Sequence, residues 1–593
     1  MPTAGLLIGP MLRRVIGQRA TIWVETSAPA LVRVSTPDGA TGQATTFSAF
    51  DHHYALVVVE GLTPDQTSPY EVFIDDEPVW PEPGSSFPPS LIRTRAAEDG
   101  DQAVRLIFGS CRETTQHSTA RSLPPDALDA YARRLISTDA DPERALTDRP
   151  DLLVLLGDQV YADQTSPTVR KLLSRRRRRT RDAPADQVVS FDEYTKLYLE
   201  SWRDPEIRWL LSTVPSVMIF DDHEIIDDWN TSKPWRAEVR GQTWWPERIA
   251  SGLASYWVYQ HLGNLDPDEI AADPVFAKVI AAEDATNVLR EFGQQVGAEA
   301  TAYDAALGTA ADQGTAHAAA VDAGSGAQRY QWSYALDIGR TRLVVLDNRC
   351  SRVLDAKHRA MLPPTEWSWF VDRANGSYDH LVVGSSLPWL MPSAIHHLEA
   401  WNERLADSDQ PRVAAFAERL RRALDLEHWA AFQRSFNALA MLFARLGTGP
   451  QGASGDWKGT GPAYPPPASI SVLSGDVHHS YVARARFPAG MNTPVHQLTC
   501  SPIHNQVPAV MRPLMRLGWW RGPATAARAL SRSVGIPKAM IRWRRVSGPY
   551  FGNAVSSLLH RGRSAEVMIE GTAKDGELRL IGRRSLTGPE QNG

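Results

Sequence analysis

Cysteine is scarce: the 593-residue chain contains three, Cys111, Cys350 and Cys500. That number is too small and of the wrong parity for a disulfide framework, and it fits a reduced compartment. Long apolar runs are also missing, with no window near the roughly 18 residues that a membrane-spanning helix needs. At the N-terminus, Arg13-Arg14 is followed by Gly17, Gln18 and Arg19, where an export signal requires an unbroken apolar stretch of roughly 7 to 15 residues. A cytoplasmic location is therefore expected, with peripheral membrane association left open. The formal net charge is slight, −5, which argues against both a bulk polycation for nucleic acid and an acidic disordered chain. With 43% hydrophobic and 22% charged residues, the composition is that of a globular protein long enough for more than one domain. Charge-based chemistry must be local.

Residues 1 to about 95 read as short strands, RATIWVET, ALVRVST, YALVVVEGL and YEVFIDD, separated by turn signals such as Pro37-Asp38-Gly39. A small N-terminal β-sandwich is the expectation. Gly61-Leu62-Thr63-Pro64 followed by Tyr70-Glu71-Val72 resembles a fibronectin-like corner, in which the tyrosine bonds back to the preceding loop. PEPGSSFPP, residues 81–89, reads as a linker.

From about residue 104 the pattern changes. Six short apolar runs each end in a polar cluster: VRLIF in GSCRE, LLVLL in GDQVYAD, VMIF in DDHE, LVVL in DNRC, LVV in GSSLPW, and ISVL in SGDVHHS. Continuous apolar runs indicate strands covered on both faces, and in open α/β sheets ligands bind beyond the strand ends. The clusters should converge on one site. Residues 250–264, about 277–298 and 411–446 have helical apolar spacing, while 305–328 and 448–468 read as loops.

The converging side chains are Cys111, Asp158, Tyr161, Asp221, Asp222, His223, Glu224, Asp347, Asp476, His478 and His479. The stretch Asp221 to Asp228 alone holds five carboxylates and one histidine. Carboxylates gathered at one point are driven to protonate unless a cation neutralises them, so a metal centre is expected. A mixture of thiolate, phenolate, imidazole and carboxylate suits a redox-type ion such as iron beside a harder divalent ion.

In order, Gly157-Asp158-Gln159-Val160-Tyr161, Asp221-Asp222-His223-Glu224 and Ser474-Gly475-Asp476-Val477-His478 resemble the motifs of calcineurin-like metallophosphoesterases, most closely the PhoD-like (alkaline phosphatase D) branch. Cys111 in Gly109-Ser110-Cys111, in place of the usual first DxH, is characteristic of that branch. The resemblance runs from about 105 to 505 and extends to the strand-rich N-terminal part. It implies an α/β fold, a four-layer α/β/β/α sandwich preceded by a small fibronectin-like β-sandwich. The implied organisation is 1–95 for the N-terminal domain and 104–505 for the catalytic domain, with helical insertions at about 231–330 and 400–446. A basic segment, 506–593, then ends in a β-hairpin packed on the catalytic domain.

The resemblance further implies hydrolysis of phosphomonoesters or phosphodiesters at a binuclear site with metal-bound hydroxide as nucleophile. Asp158 would bridge the ions. Cys111, Tyr161 and His478 would complete an iron-like site, and Asp222 and Asp476 would hold the second ion, calcium, manganese or magnesium. His223 would donate a hydrogen bond or proton to the leaving oxygen. Where the family carries a ligand histidine after its penultimate strand, this chain has Gly384-Ser385-Ser386-Leu387, so fewer nitrogens are expected at the second ion. Asp227 or Asp228 could supply further oxygens.

Other residues receive plainer readings. Arg349, in the phrase Asp347-Asn348-Arg349, and Arg112 are candidate phosphate clamps. His52-His53, His396-His397 and Glu427-His428 read as solvated faces, and Cys350 and Cys500 as packing residues. SRRRRRTR, 174–181, reads as a solvated loop in preference to a polyanion site. Residues 506–546 hold nine Lys or Arg and no acid, with Trp519, Trp520 and Trp543 among them; this is a lid over the site or a contact for an anionic membrane. The expected partner is a phosphate-ester substrate, with an anionic lipid or polymeric phosphodiester as a further class, and no obligate protein partner. The alternative reading is a nucleic-acid or membrane-binding protein whose metal site is structural or vestigial.

Overall fold

In RATIWVET every second residue should face one side, and Ala20, Ile22 and Val24 alternate with Trp23, so both faces of that strand carry apolar groups to be covered. In the computed structural model they are. It describes residues 4–96, 102–113, 124–138, 149–177, 183–309, 329–355, 358–448, 464–488, 491–505, 507 and 509–588; much of the expected loops at 305–328 and 448–468, and residues 178–181 of the arginine run, fall outside them. The N-terminal strands are β1 (Leu6–Ile16), β2 (Arg19–Thr26), β3 (Leu31–Ser35), β4 (Thr41–Thr45), β5 (Phe47–Ala49), β6 (His52–Val59), β7 (Thr67–Pro69), β8 (Glu71–Ile74), β9 (Glu77–Trp80) and β10 (Leu91–Arg93). They form two four-stranded sheets, ordered β1-β2-β6-β5 and β4-β3-β8-β9, with a β10-β7 ribbon. Ile22, Val24 and Val57 of one sheet share a cluster with Val32, Val34 and Val72 of the other. The opposite face of β2 and β6 presents Trp23, Tyr54 and Leu56 to the helices that follow in the chain.

This attachment changes two expectations. The Tyr70 hydroxyl does not return to its preceding loop; it donates to the carbonyl of Ser212, 2.6 Å away, at the end of the helix Pro205–Thr213. The end of the proline-rich stretch is likewise held, with Trp209 Nε1 donating to Pro88 O at 2.8 Å.

The remaining strands are β11 (Val104–Gly109), β12 (Leu152–Leu156), β13 (Ser216–Ile219), β14 (Tyr334–Ile338), β15 (Thr341–Leu346), β16 (His380–Ser385), β17 (Ser469–Ser474), β18 (Ser480–Arg486), β19 (Val495–Thr499), β20 (Arg542–Tyr550), β21 (Ala554–Arg561), β22 (Ser564–Thr572) and β23 (Leu578–Ser585). Six strands pair in the order β13-β12-β11-β21-β22-β23 and seven in the order β14-β15-β16-β17-β19-β18-β20. Three of the six apolar runs lie parallel in the first sheet and three in the second. Alternate residues of both, Leu106, Val154 and Ile219 with Leu343, Val345 and Leu473, share one apolar cluster. The intervening residues point outward, Ile107, Leu155 and Met218 into one helical layer and Val344, Val383 and Val472 into another.

The C-terminal segment is more than a hairpin packed on the outside: β21 to β23 continue the first sheet directly from β11, and β20 forms an edge of the second. The helical runs are also more broken than their spacing predicts. Residues 277–298 fall in two helices, Pro274–Ala281 and Thr286–Thr309, and 411–446 in two more, Pro411–Ala423 and Gln433–Thr448. Helix Trp245–Tyr256 ends in a π-helical turn, Trp257–His261. In the arginine run, Arg177 closes the helix Pro167–Arg177 and pairs with Glu193 at 2.7 Å, so this part is not a free loop.

Candidate metal centre

Each parallel strand stops where the chain must turn sharply out of the sheet. Gly157 after β12 has φ +102°, and a Cβ there would stand 2.6 Å from Asp221 Cβ. At Gly475 after β17 a Cβ would meet Ser110 Oγ at 2.0 Å. Only glycine lets these turns approach so closely. The side chains that follow adopt the left-handed backbone region: Cys111 (φ 57°), Asp158 (φ 54°), Asp476 (φ 65°) and His478 (φ 48°). Such residues cost of order 1–3 kcal/mol each and persist where surrounding structure over-determines them.

Glu224 supplies part of that determination. Its carboxylate accepts the backbone N–H groups of Asp158 (3.0 Å), Gln159 (2.8 Å) and Asp221 (2.8 Å), so one side chain holds the turns after β12 and β13 together. Gln260, in the π-helical turn, donates to the same carboxylate at 3.2 Å.

Carboxylate oxygens and one imidazole nitrogen gather in two groups, Asp158 with Asp222 and His223, and Asp221 with Asp222 and Asp476, each within 4.8 Å. Asp222 is common to both, whereas the bridging position was expected of Asp158. Cys111 lies on the same floor: Ser110 Oγ and Ser501 Oγ are each 3.2 Å from its sulfur, and the Asp476 carbonyl is at 3.8 Å. The Tyr161 ring packs on His223 with centroids 4.7 Å apart, and its hydroxyl accepts from Asn505 Nδ2 at 3.1 Å.

These donors suit a cation. Asp158 Oδ1 and Asp221 Oδ2 are buried without a hydrogen-bond partner among the described residues, a costly state that a metal ion relieves. Burial pushes the Asp158 carboxyl well above the usual range, with the Cys111 thiol adding to the effect. Burial, with the charge of Asp476 adding to it, raises the Cys111 thiol to about 12. Burial lowers His478 to about 4, which keeps its ring neutral and able to coordinate. Asp476 goes the other way: burial alone would raise it, but the hydrogen bond and charge of His428, with Arg349, win and bring it down to about 2.

Arg349 is not placed as an open phosphate clamp. It is fully buried, and its nitrogens face carboxylates throughout: Nε bonds Asp221, Nη1 bonds Glu427, and Nη2 lies 3.4 Å from Asp222 and 3.5 Å from Asp476. Arg112 is similarly committed, to Asp126 at 2.8 Å and to the Ser201 carbonyl at 2.9 Å. Asp347 spends its oxygens on the N–H groups of Arg349, Cys350 and Ser351, capping the turn rather than facing the cluster. His479 turns its Nδ1 to the Val477 carbonyl at 2.7 Å. Asp228 N donates to Asp222 Oδ2 at 3.0 Å, and the exposed Asp227 stands 4.0 Å from His223 Nε2.

Three readings of residues as solvated are overturned. Glu427 and His428 are 1% and 4% exposed; they lie in the break between helices Pro411–Ala423 and Gln433–Thr448. Glu427 pairs with Arg349 and Arg352, and His428 Nε2 lies 3.0 Å from Asp476 Oδ2. Glu399 fixes the other ring nitrogen at 2.9 Å. Trp429 Nε1 donates to Ser385 Oγ at 3.1 Å, fastening this loop to the end of β16. His396 is buried between Phe436 and Trp543, and His52 pairs with Glu25 at 2.9 Å. Asp163, which accepts from His223 Nδ1 at 2.8 Å, was also missed, although it sits within the GDQVYAD cluster.

Two mixed sheets whose parallel strand ends carry carboxylates, a thiol, a phenol and imidazoles define an α/β protein with a strand-end acidic centre. Residues 142–274 match the family model for PhoD-like phosphatase. Residues 3–92 match a second model, a domain of unknown function, DUF7800. The solved structure of PhoD superposes with a TM-score of 0.56 over 100% of this chain and 94% of its own length, at 12% identity. A crystal structure of maltogenic amylase from S. marinus reaches a TM-score of 0.14 at 8% identity, too low to bear on the fold. No curated protein matches the sequence.

Proposed function

We propose that this chain hydrolyses phosphate esters at a two-cation centre. The observation that carries the reading is the pair of ligand groups sharing Asp222, in a chain whose residues 142–274 match the PhoD-like phosphatase model. Cys111, Asp158, Tyr161 and His478 would hold an iron-like ion, and Asp222 and Asp476 a divalent ion such as calcium, manganese or magnesium. His428 Nε2 reaches the second group through Asp476 Oδ2, 3.0 Å away, and would become a nitrogen donor there on losing its proton. Bound cations would polarise the phosphoryl oxygens and acidify a coordinated water.

The chain's own residues do the rest. His223, held through Nδ1 by Asp163, keeps Nε2 for the leaving-group oxygen; burial disfavours its charged form, but Asp163 and Asp222 outweigh burial and raise it well above the ordinary histidine value, so it carries the proton to be donated. Arg349 favours the ionised forms of Glu427 and Asp476, and it opposes the burial that raises Asp221 and Asp222 above the usual carboxylate range. The shared apolar cluster between the two sheets supports a four-layer α/β/β/α arrangement, and the two facing N-terminal sheets a β-sandwich domain.

Metal analysis of the purified protein, with hydrolysis of chromogenic phosphomonoesters and phosphodiesters by the wild type, Asp158→Ala and His223→Ala, tests the reading. A wild type that binds no metal, or His223→Ala with full turnover, rules it out.

A further inference from the structure

Between residues 506 and 546 the chain carries nine Lys or Arg and no Asp or Glu. This stretch forms the helices Met511–Leu517 and Arg521–Ser533 before entering β20. The second helix buries only Ala524 and Ser531. It is held by Gly518, whose carbonyl accepts from Ala394 N at 3.1 Å, and by Trp543, whose Nε1 donates to Met391 O at 2.8 Å.

Two features mark this stretch and its neighbours. First, Arg486, Arg521, Arg528, Arg542, Arg544 and Arg545 line a cavity of about 620 Å³ with Trp519 and Trp543 in its wall and no carboxylate. A neighbouring cavity of about 330 Å³ shares Arg528 and Arg542 and adds Arg532 and Lys538. Arginines gathered around a concavity give it a positive potential that attracts anions. Second, six of the fifteen large apolar side chains exposed among the described residues fall between 510 and 540, including Val510 (80% exposed), Trp520 (62%) and Met540 (46%). Exposed apolar groups concentrated in this way mark a contact surface.

A soluble polyanion would answer the arginines but leave Trp520, Val510 and Met540 in water. A bilayer with anionic headgroups answers both, because a basic helix with Trp and Leu on its exposed face lies in the interface plane. We propose that this face docks on an anionic phospholipid surface, with headgroup phosphates in the arginine cavity and Trp520, Leu517 and Met511 at the acyl boundary. Trp519, in the wall of the cavity, packs on Tyr481 at 5.1 Å, and Tyr481 on His479 at 5.2 Å. The proposal does not depend on the centre being hydrolytic.

Flotation of the full chain tests it, using vesicles of phosphatidylcholine alone and of phosphatidylcholine with phosphatidylglycerol. The wild type floats with the anionic vesicles and not with the neutral ones, and salt releases it. The double variant Arg521→Glu, Arg542→Glu loses about 25-fold or more in partitioning, taking about five-fold per arginine. Trp520→Ser, exposed and therefore without effect on the melting temperature, loses several-fold. Equal flotation of all three proteins overturns the proposal. So does capture by inorganic polyphosphate or RNA that equals vesicle binding and is unaffected by Trp520→Ser, which would assign the cavity to a soluble polyanion.

Discussion

His428 Nε2 lies 3.0 Å from Asp476 Oδ2, although the two residues belong to a loop between helices and to the turn after β17. The ring is held from behind by Glu399, itself fully buried, so the imidazole has one orientation and one nitrogen directed at the carboxylate cluster. A carboxylate backing a histidine in this manner fixes its tautomer and raises its basicity as a ligand. The residue that meets the second ligand group through nitrogen thus comes from a helical insertion and not from a strand end.

Replacing His428 by Ala is expected to weaken the second cation by about 10- to 100-fold or more, with the first retained. Metal-to-protein ratios after dialysis, read by elemental analysis, should fall from two toward one. A ratio unchanged from wild type would show that His428 serves Asp476 only as a hydrogen-bond partner.

Arg349→Ala should be among the most destabilising single changes in the chain. Removing a buried guanidinium that faces Asp221, Asp222, Glu427 and Asp476 leaves uncompensated charge, typically a loss of about 3–5 kcal/mol. Urea unfolding measures it, and a loss below about 1 kcal/mol would mean that the carboxylates are neutralised some other way.

For the chemistry, His223→Ala should lower kcat by about 10² to 10⁴ while metal content holds. Asp163→Asn should act through the same ring. Because Asp163 raises the His223 pKa, its loss lets the imidazolium deprotonate at lower pH, so the basic limb of the pH–rate profile moves to lower pH. A profile that does not move would separate Asp163 from the proton-transfer step.

Acid should destabilise the fold through buried neutral histidines remote from the centre. Burial lowers His396 from the ordinary 6.5 to about 3, and His397 adds to this. The unfolded chain then binds a proton that the folded chain refuses, so this contribution to stability is full above about pH 6.5 and falls as the pH drops toward 3, by about 1.4 kcal/mol per unit per histidine. His396→Leu should flatten the decline between pH 6 and 4 in thermal melts taken at a series of pH values; an unchanged slope would assign the loss to other groups.

The local grammar of the chain made much of this legible. Both-face burial wrote the strands as continuous apolar runs, and Gly157 and Gly475 marked turns that bring side chains into close approach. Strand-end polarity named Asp158, Asp221, Asp222, His223 and Asp476, which lie in the two groups, and Cys111 and Tyr161 beside them, but also Asp347 and His479, which turn to backbone groups instead. Less could be read where contacts are long-range. The apolar spacing of 411–446 runs on through Leu424 to Leu426, so a periodicity argument sees one helix and a solvated Glu427-His428. The break there is set by Asp425, at φ 54°, and by the bond from Trp429 to Ser385, which no local pattern contains. Tyr70 carried a corner signature, yet its hydroxyl partner is on a helix 142 residues away. Arg349 looked like a clamp because sequence shows that a guanidinium is near the site but not which anions surround it. The sequence by itself determined the elements and most of the donor chemistry, since these follow from residue type and period. Only the tertiary structure decided that Asp222 is shared, that Arg349 is enclosed by carboxylates and that His428 completes the wall, because burial and charge pairing are properties of what the folded chain brings together.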